Sequence, residues 1–471
     1  MLCVFVVNNL NGLSTNRGSV WSILPPPVCP YSNLAKAKIR MTAKGKRLDP
    51  LRIVDSVVGS NWRTPPPDFA RERQRQTFLS RALLAMEKIV RHPRTLKSFS
   101  KRVLISLPIV CILSGPTLAQ NREPIKVGWI GAMTGPTAKW GASQAARLAE
   151  DEINLGGGIN GRPLKLIMED TGCKAASAVA AFRKLTQING VSFILGGHCS
   201  PDSLAIAPLA EKQKIPMIAA ITSTPKLTDA GRYIFRVTPV STKLADLIVP
   251  YAQDTLQIKK IALIYELTDY VAPVAEKLKT NFERSGVTVS DAMSFNPGES
   301  DFRSLLIKAA SKQPDAIYLG VQAPDSGVLL AKQFRELKLG MKIFGNEQFA
   351  GAFLALKPEE RALLEGLVFA QPECDITSSS VKSFTEKYTK RFQVSALPFG
   401  CYTAESFDAV QLLAAALRKC GEDTNCVQSY LEKIEGYAGS SGPITFDSNG
   451  DVSKNCVIEK ISHGEIAHQS R

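Results

Sequence analysis

An α/β chain with two parallel sheets, each flanked by helices, is what this sequence predicts, and three observations carry that expectation. From Ile125 onward, short apolar runs alternate with amphipathic stretches of helical spacing, the pattern of βαβ units. The alternation continues for about 350 residues, too long for one compact core and long enough for two. Apolar residues make up 44% and charged residues 21% of the 471-residue chain, globular values that exclude a wholly disordered chain and a multi-span membrane protein.

The first series has strands expected at 126–132, 164–169, 192–196 and 217–220. Each is a short run dominated by Val, Ile, Leu, Met or aromatic residues, the length and composition of a buried strand. Helical spacing falls between them at 143–154, 176–187 and 204–212. Gly156-Gly157-Gly158 follows a helix instead of a strand, so it reads as a C-cap and turn, not a dinucleotide loop. A divide falls near 238–242, after which a helix at 244–254 leads into strands at 260–265, 316–321, 342–345 and 367–370. Helices at 271–285, 301–311 and 326–337 separate these. The expected lobes are therefore about 124–240 plus 371–446, and about 241–370 plus 447–471. Ligand crevices of open α/β sheets lie at the carboxyl ends of the strands, so two facing sheets would enclose a cleft that a hinge can close.

Charge separates the chain differently. The net +15 suggests a polyanionic partner, but residues 1–119 hold 19 basic and 5 acidic residues, while 39 and 38 remain from Gln120 onward. The long second part therefore carries no polycationic signal, and no nucleic acid partner is expected. Within 86–119, Lys88, Arg91, Arg94, Lys97, Lys101 and Arg102 precede the apolar run 103–113, and Thr117-Leu118-Ala119 has the small-residue character of a cleavage site. That run is shorter than the roughly 20 residues that span a bilayer, so 86–119 reads as a cleaved signal peptide and the protein as periplasmic. Cys111 follows Ile109-Val110, which does not suit a lipid anchor. Residues 1–85, with two Pro-Pro-Pro runs and no sustained periodicity, read as a non-native or disordered extension ahead of a start at Met86.

Seven cysteines follow Gln120. Cys420 and Cys426 enclose a short polar loop and are expected to pair in an oxidising compartment. Among Cys374, Cys401 and Cys456 one further pair can form. Zinc is not expected, because only three histidines, His198, His463 and His468, accompany these cysteines and no C-x-x-C pair repeats. Neither a G-x-S-x-G elbow, an H-E-x-x-H pair nor a phosphate loop is present, so a binding cleft fits the residues with less effort than an active site.

Six motifs then occur in order: Lys126-Val-Gly-Trp-Ile-Gly-Ala-Met-Thr-Gly-Pro, Glu152-Ile-Asn followed by Gly157-Gly-Ile-Asn-Gly161, Glu169-Asp-Thr-Gly-Cys173, Gly196-Gly-His-Cys-Ser200, Thr222-Ser-Thr-Pro-Lys-Leu-Thr228, and Ile444-Thr-Phe-Asp-Ser-Asn-Gly-Asp451. Through them the chain from Gln120 resembles the periplasmic branched-chain amino-acid binding proteins of ABC transporters. The resemblance implies a two-lobed Venus-flytrap of the type I periplasmic binding protein class, capture of a small amino acid, delivery to an inner-membrane ABC permease, and no catalysis, cofactor or metal. It also implies a disulfide between Cys173 and Cys199, fixing the loop of Ser200. The backbone and hydroxyl of Ser200 would hold the ligand carboxylate, and Thr222-Ser223 with the Ile221 backbone would give a second carboxylate and ammonium contact. Tyr270 would contact the ligand, Glu347 would pair with the ammonium, and Trp140 would line the side-chain pocket. Gln322 stands where such proteins commonly have an aromatic, and Ile221 where a small residue is usual. Relatives on this scaffold leave an amide, urea or aromatic acid as alternative ligands, and a ligand sensor as an alternative role.

Taken singly, these residues also have ordinary structural readings. Ser200 and Ser223 suit turns or N-caps before helices, Glu347 a solvated loop, and Tyr270 and Trp140 simple packing.

Overall fold

The computed structural model describes residues 123–469 and, as backbone alone, two strands, Val6–Asn9 and Trp21–Leu24, paired antiparallel. That ladder lies within the segment read as lacking strand periodicity. The readings of 1–85 as an extension and of 86–119 as a signal peptide otherwise lie outside the described residues. The chain divides into units at 1–118 and 119–471, and the second contains both expected sheets.

In the first lobe, β1 (Ile125–Gly131), β2 (Leu164–Asp170), β3 (Ile194–Leu195), β4 (Met217–Ala219) and β5 (Ile234–Arg236) form a wholly parallel sheet in the order β2-β1-β3-β4-β5. Successive side chains of β1 enter opposite cores. Val127 and Trp129 pack with α1 (Ala142–Leu155), and Ile130 packs with α2 (Ala175–Arg183) and α3 (Ser200–Gln213). Burial on both faces explains why the parallel strands read as continuous apolar runs.

In the second lobe, α4 (Thr242–Pro250) and α5 (Val271–Arg284) cover one face of a seven-stranded sheet. Its strands are β6 (Lys260–Glu266), β7 (Thr288–Phe295), β8 (Ala316–Gly320), β9 (Lys342–Gly345) and β10 (Val368–Pro372), all parallel, with a later hairpin added at β10. Ile261 and Leu263 face α4 and α5. Ala262 and Ile264 face the opposite core, with α6 (Arg303–Ser311), α7 (Pro324–Glu336) and α8 (Gln348–Ala355).

The chain then returns to the first lobe. Helix α9 (Ser379–Phe392) and the long α10 (Cys401–Cys420) pack against α1, followed by α11 (Thr424–Leu431) and a hairpin of β11 (Tyr437–Gly439) and β12 (Gly442–Ile444). Strands β13 (Cys456–Ser462) and β14 (Glu465–Gln469) complete the second sheet in the order β14-β13-β10-β9-β8-β6-β7. Residues 447–452, expected in the second lobe, lie on the first. Arg236, buried at the end of β5, needs a countercharge and finds Asp451 at 2.5 Å, while Asp451 also accepts from Thr228 Oγ1 at 2.8 Å.

Three crossings thus join the lobes, near 237–241, 373–378 and 453–455, and two of them touch where Glu373 N–H donates to the Asn455 carbonyl at 2.9 Å. Lys454 on the third crossing pairs at 2.8 Å with Glu405 of α10, both buried. The structure pairs Cys173 with Cys199, Cys420 with Cys426, and Cys374 with Cys401, leaving Cys456 as a half-buried thiol. Among the described residues no helix is long and apolar enough to cross a membrane.

Candidate functional site

The first-lobe wall grows from loops at the carboxyl ends of its strands. After β1 a short 3-10 turn, Pro136–Trp140, brings Trp140 inward. Its ring stacks on Phe399 at 5.2 Å between centroids and meets the edge of His198 at 5.1 Å. Phe399 in turn stacks on Tyr402 at 4.7 Å. Thr403 donates to the Trp140 carbonyl at 3.0 Å, so the start of α10 and the loop after β1 are held as one wall.

After β3 the chain turns through Gly196 and Gly197. A Cβ on Gly197 would sit 2.4 Å from the Cβ of Asp202, so only glycine allows this approach. Asp202, raised to about 6 by burial, accepts from Thr171 Oγ1 at 2.8 Å and faces the backbone amides of Cys199 and His198. This fixes the turn entering α3. The apolar pattern places the start of that helix near 204, but it begins at Ser200, because Pro201 suits the first turn. No side chain caps this helix, so its first amides and its positive dipole end are available to an anion.

His198 is buried, and burial pushes it down to about 4, so it stays neutral near neutral pH. Its Nδ1 accepts the Ala132 N–H at 3.2 Å, which leaves Nε2 carrying the proton. Such a weak base is poorly suited to proton abstraction.

Beyond β4, adjacent residues face opposite ways. Ile221 and Ser223 line the cleft. The side chain of Thr222 does not: its hydroxyl donates to the Gly197 carbonyl at 3.0 Å and lies 2.7 Å from Ser203 Oγ. Thr222, expected among the ligand contacts, is therefore spent inside the first lobe, because alternation along extended backbone sends neighbouring side chains to opposite sides.

On the second lobe, Tyr270 ends the loop before α5, and its hydroxyl accepts from Asn346 Nδ2 at 2.8 Å. Glu347 directly precedes α8 and is only 3% exposed. Burial raises its carboxyl to about 7, opposed by a hydrogen bond from Tyr270. Tyr270 is itself held well above its ordinary value, by burial first and by the Glu347 charge second. Among the described residues, Glu347 forms no ion pair. Gln322, at the end of β8, is anchored by its backbone N–H, which donates to Glu266 at 2.7 Å.

One narrow cavity brings these walls together. Trp140, Ser200, Ile221 and Ser223 line it from the first lobe, and Tyr270, Gln322 and Glu347 from the second. His198, Cys199, Gln348, Phe399 and Tyr402 complete the lining and were not singled out as ligand contacts. His198 stands inside a quoted motif beside Ser200, a signal that could have found it. Phe399 and Tyr402 come from the return to the first lobe, where no strand pattern marks the position. Cys173, Cys199 and Asp202 converge within 4.8 Å, but the two sulfurs are bonded to each other and are not thiolate ligands.

A family model described as periplasmic binding protein matches residues 124–462. The Leu/Ile/Val-binding protein of Escherichia coli is 27% identical over 333 residues, 70% of this chain and 88% of that protein. A leucine-, isoleucine-, valine-, threonine- and alanine-binding protein of Pseudomonas aeruginosa is 24% identical, over 76% of this chain and 95% of its own length. Among solved structures, a branched-chain amino-acid transporter substrate-binding protein from Streptococcus pneumoniae, in complex with isoleucine, aligns with a TM-score of 0.66 at 23% identity, covering 74% of this chain and 99% of that one. A solute-binding protein of an ABC transporter from Rhodopseudomonas palustris, in complex with 3,4-dihydroxybenzoic acid, aligns at 0.65 with 25% identity, covering 72% and 93%.

Proposed function

Because the chain belongs to the periplasmic binding protein family, we propose that it is the solute-binding component of an ABC transporter, capturing a small α-amino acid between its lobes and delivering it to a membrane permease. The observation that carries this reading is Glu347, a buried carboxyl without a protein cation, across the cavity from the uncapped start of α3. An α-amino acid has the matching pair of charges. Its carboxylate would accept from the α3 amides and the hydroxyls of Ser200 and Ser223, and its ammonium would donate to Glu347 and Tyr270. Neutral donors hold a carboxylate without burying a second countercharge.

Such a ligand would bind the first lobe before closure and gain the second-lobe contacts only on closing, which is the differential affinity that a population shift requires. The branched-chain ligands of the E. coli and P. aeruginosa relatives support this class, and the leader at 86–119 supports export. The site's role is binding without turnover.

A second reading, capture of an aromatic acid, is favoured by the stacked wall of Trp140, Phe399 and Tyr402, and the R. palustris neighbour gives it a precedent. A thermal-shift screen of the purified protein against amino acids, amides and aromatic acids separates the two. A ligand at a hundred times its Kd stabilises by about 2.7 kcal/mol. At least one α-amino acid is expected to raise the Tm. A rise with aromatic acids and with no α-amino acid would select the second reading.

A further inference from the structure

The cavity holds more unmatched polar groups than an aliphatic amino acid can satisfy. On the first lobe, Trp140 Nε1 and His198 Nε2 are buried and without a partner. Both side chains are 3% exposed. Trp140 Nε1 is always a donor, and His198 Nε2 is one because Nδ1 already accepts from Ala132. On the second lobe, the amide oxygens of Gln322 and Gln348 are likewise buried and unpartnered, and Gln348 is 4% exposed. All four residues line the same cavity. Two donors thus stand on one wall and two acceptors on the other.

Building on the amino-acid reading above, we propose that the ligand carries a side-chain carboxamide, its carbonyl oxygen accepting from Trp140 Nε1 and His198 Nε2 and its amide nitrogen donating to Gln322 and Gln348. A carboxamide has one oxygen with two lone pairs and one nitrogen with two hydrogens, which matches the four groups in number and sign. Other side chains match fewer of them. An aliphatic group satisfies none. A side-chain carboxylate would serve the donors but add a further anion to a cavity that already holds Glu347, the ligand's own α-carboxylate and two amide oxygens. An ammonium would serve the amide oxygens and leave both N–H groups bare. Sites built on buried hydrogen bonds strongly reject analogues that lack the partner group. The cavity is therefore organised to select against leucine. Gln322, standing where an aromatic was expected, is part of that selection.

Calorimetric titration of the purified full chain with L-asparagine, L-glutamine and L-leucine tests this, since asparagine and leucine share a branched outline. At least one of the two amides is expected to bind tenfold or more tighter than leucine. Leucine binding as tightly as both amides, or tighter, would overturn the carboxamide assignment and leave the amino-acid reading standing. Absence of binding by all three would overturn the carboxamide assignment, and the amino-acid reading would fall with it only if no α-amino acid raised the Tm in the thermal-shift screen. Gln322→Leu and His198→Phe are each expected to shrink the amide-to-leucine ratio at least tenfold. His198→Phe also removes the acceptor of the Ala132 amide, so Gln322→Leu, whose anchoring bond is made by its backbone, is the decisive variant. An unchanged ratio in folded Gln322→Leu would overturn the proposal.

Discussion

The first-lobe wall of the cleft offers a ligand only neutral groups, whereas the second-lobe wall buries an acid with no cation beside it among the described residues. Ser200, Ser223, Trp140 and the uncapped α3 are uncharged donors, and His198 joins them because burial holds it near 4. Such groups, being uncharged, can wait empty at less cost than a bare buried charge. Glu347 cannot. It is packed near Tyr270, Tyr318 and Tyr402, and its carboxyl is raised to about 7. On the amino-acid reading proposed above, the first lobe would be a finished receptor by itself, while the second would be completed by the ligand's own positive charge. Closure would then report occupancy.

Removing the acid is the strongest way to break this contrast. In Glu347→Ala, affinity for an α-amino acid found by the screen is expected to fall a hundredfold to a thousandfold, about 3 to 4 kcal/mol. The Tm of the empty protein is expected not to fall, because the variant also removes an uncompensated buried charge. A calorimetric titration with unchanged affinity would take Glu347 out of the binding reaction.

Proton linkage gives the next largest effect. A carboxyl raised from 4.5 to about 7 keeps its proton in the folded protein over a pH range where the unfolded chain has already released it. The folded state then binds more protons, so its stability falls as pH rises from about 4.5 to about 7. The size is at most about 3 kcal/mol. Glu405 is also raised to about 7, by burial opposed by Lys454, so the wild-type profile alone does not isolate Glu347. The difference between wild type and Glu347→Gln in denaturant melts across this window does. A saturating ammonium-bearing ligand is expected to flatten that difference, and identical profiles for the two proteins would show that Glu347 is not strained by its burial.

These effects show which features of the cleft could be read from sequence. Parallel strands buried on both faces gave clear apolar runs, whereas Ser200, Ser223, Tyr270 and Glu347 were legible only through the resemblance to the branched-chain amino-acid binding proteins. Strand β7 was less visible because it lies at the sheet edge, with its Ser and Asp half-exposed among apolar residues. Phe399 and Tyr402 reach the cleft only because α10 packs back on α1 across more than two hundred residues of chain, and no local period encodes that return. The Cys374–Cys401 pair depends on the same crossing. Electrostatic strain was equally hidden: Glu347 has the composition of a surface loop acid until the fold buries it.

The smallest effect concerns the neighbouring pair Thr222 and Ser223, which sequence could not orient. Thr222→Val keeps the branched shape and removes the hydroxyl, leaving the Gly197 carbonyl and the Ser203 hydroxyl without the partners they now have at 3.0 and 2.7 Å. Both ends of this network are buried, so a stability loss of about 1 kcal/mol is expected in thermal or denaturant melts. Because the hydroxyl points into the first lobe and not the cavity, ligand affinity is expected to stay within threefold, less than about 0.7 kcal/mol. Together the two readouts separate support from contact. A variant that kept its Tm and lost affinity would place Thr222, not Ser223, on the ligand side of the strand, and would reverse the neutral wall at that position.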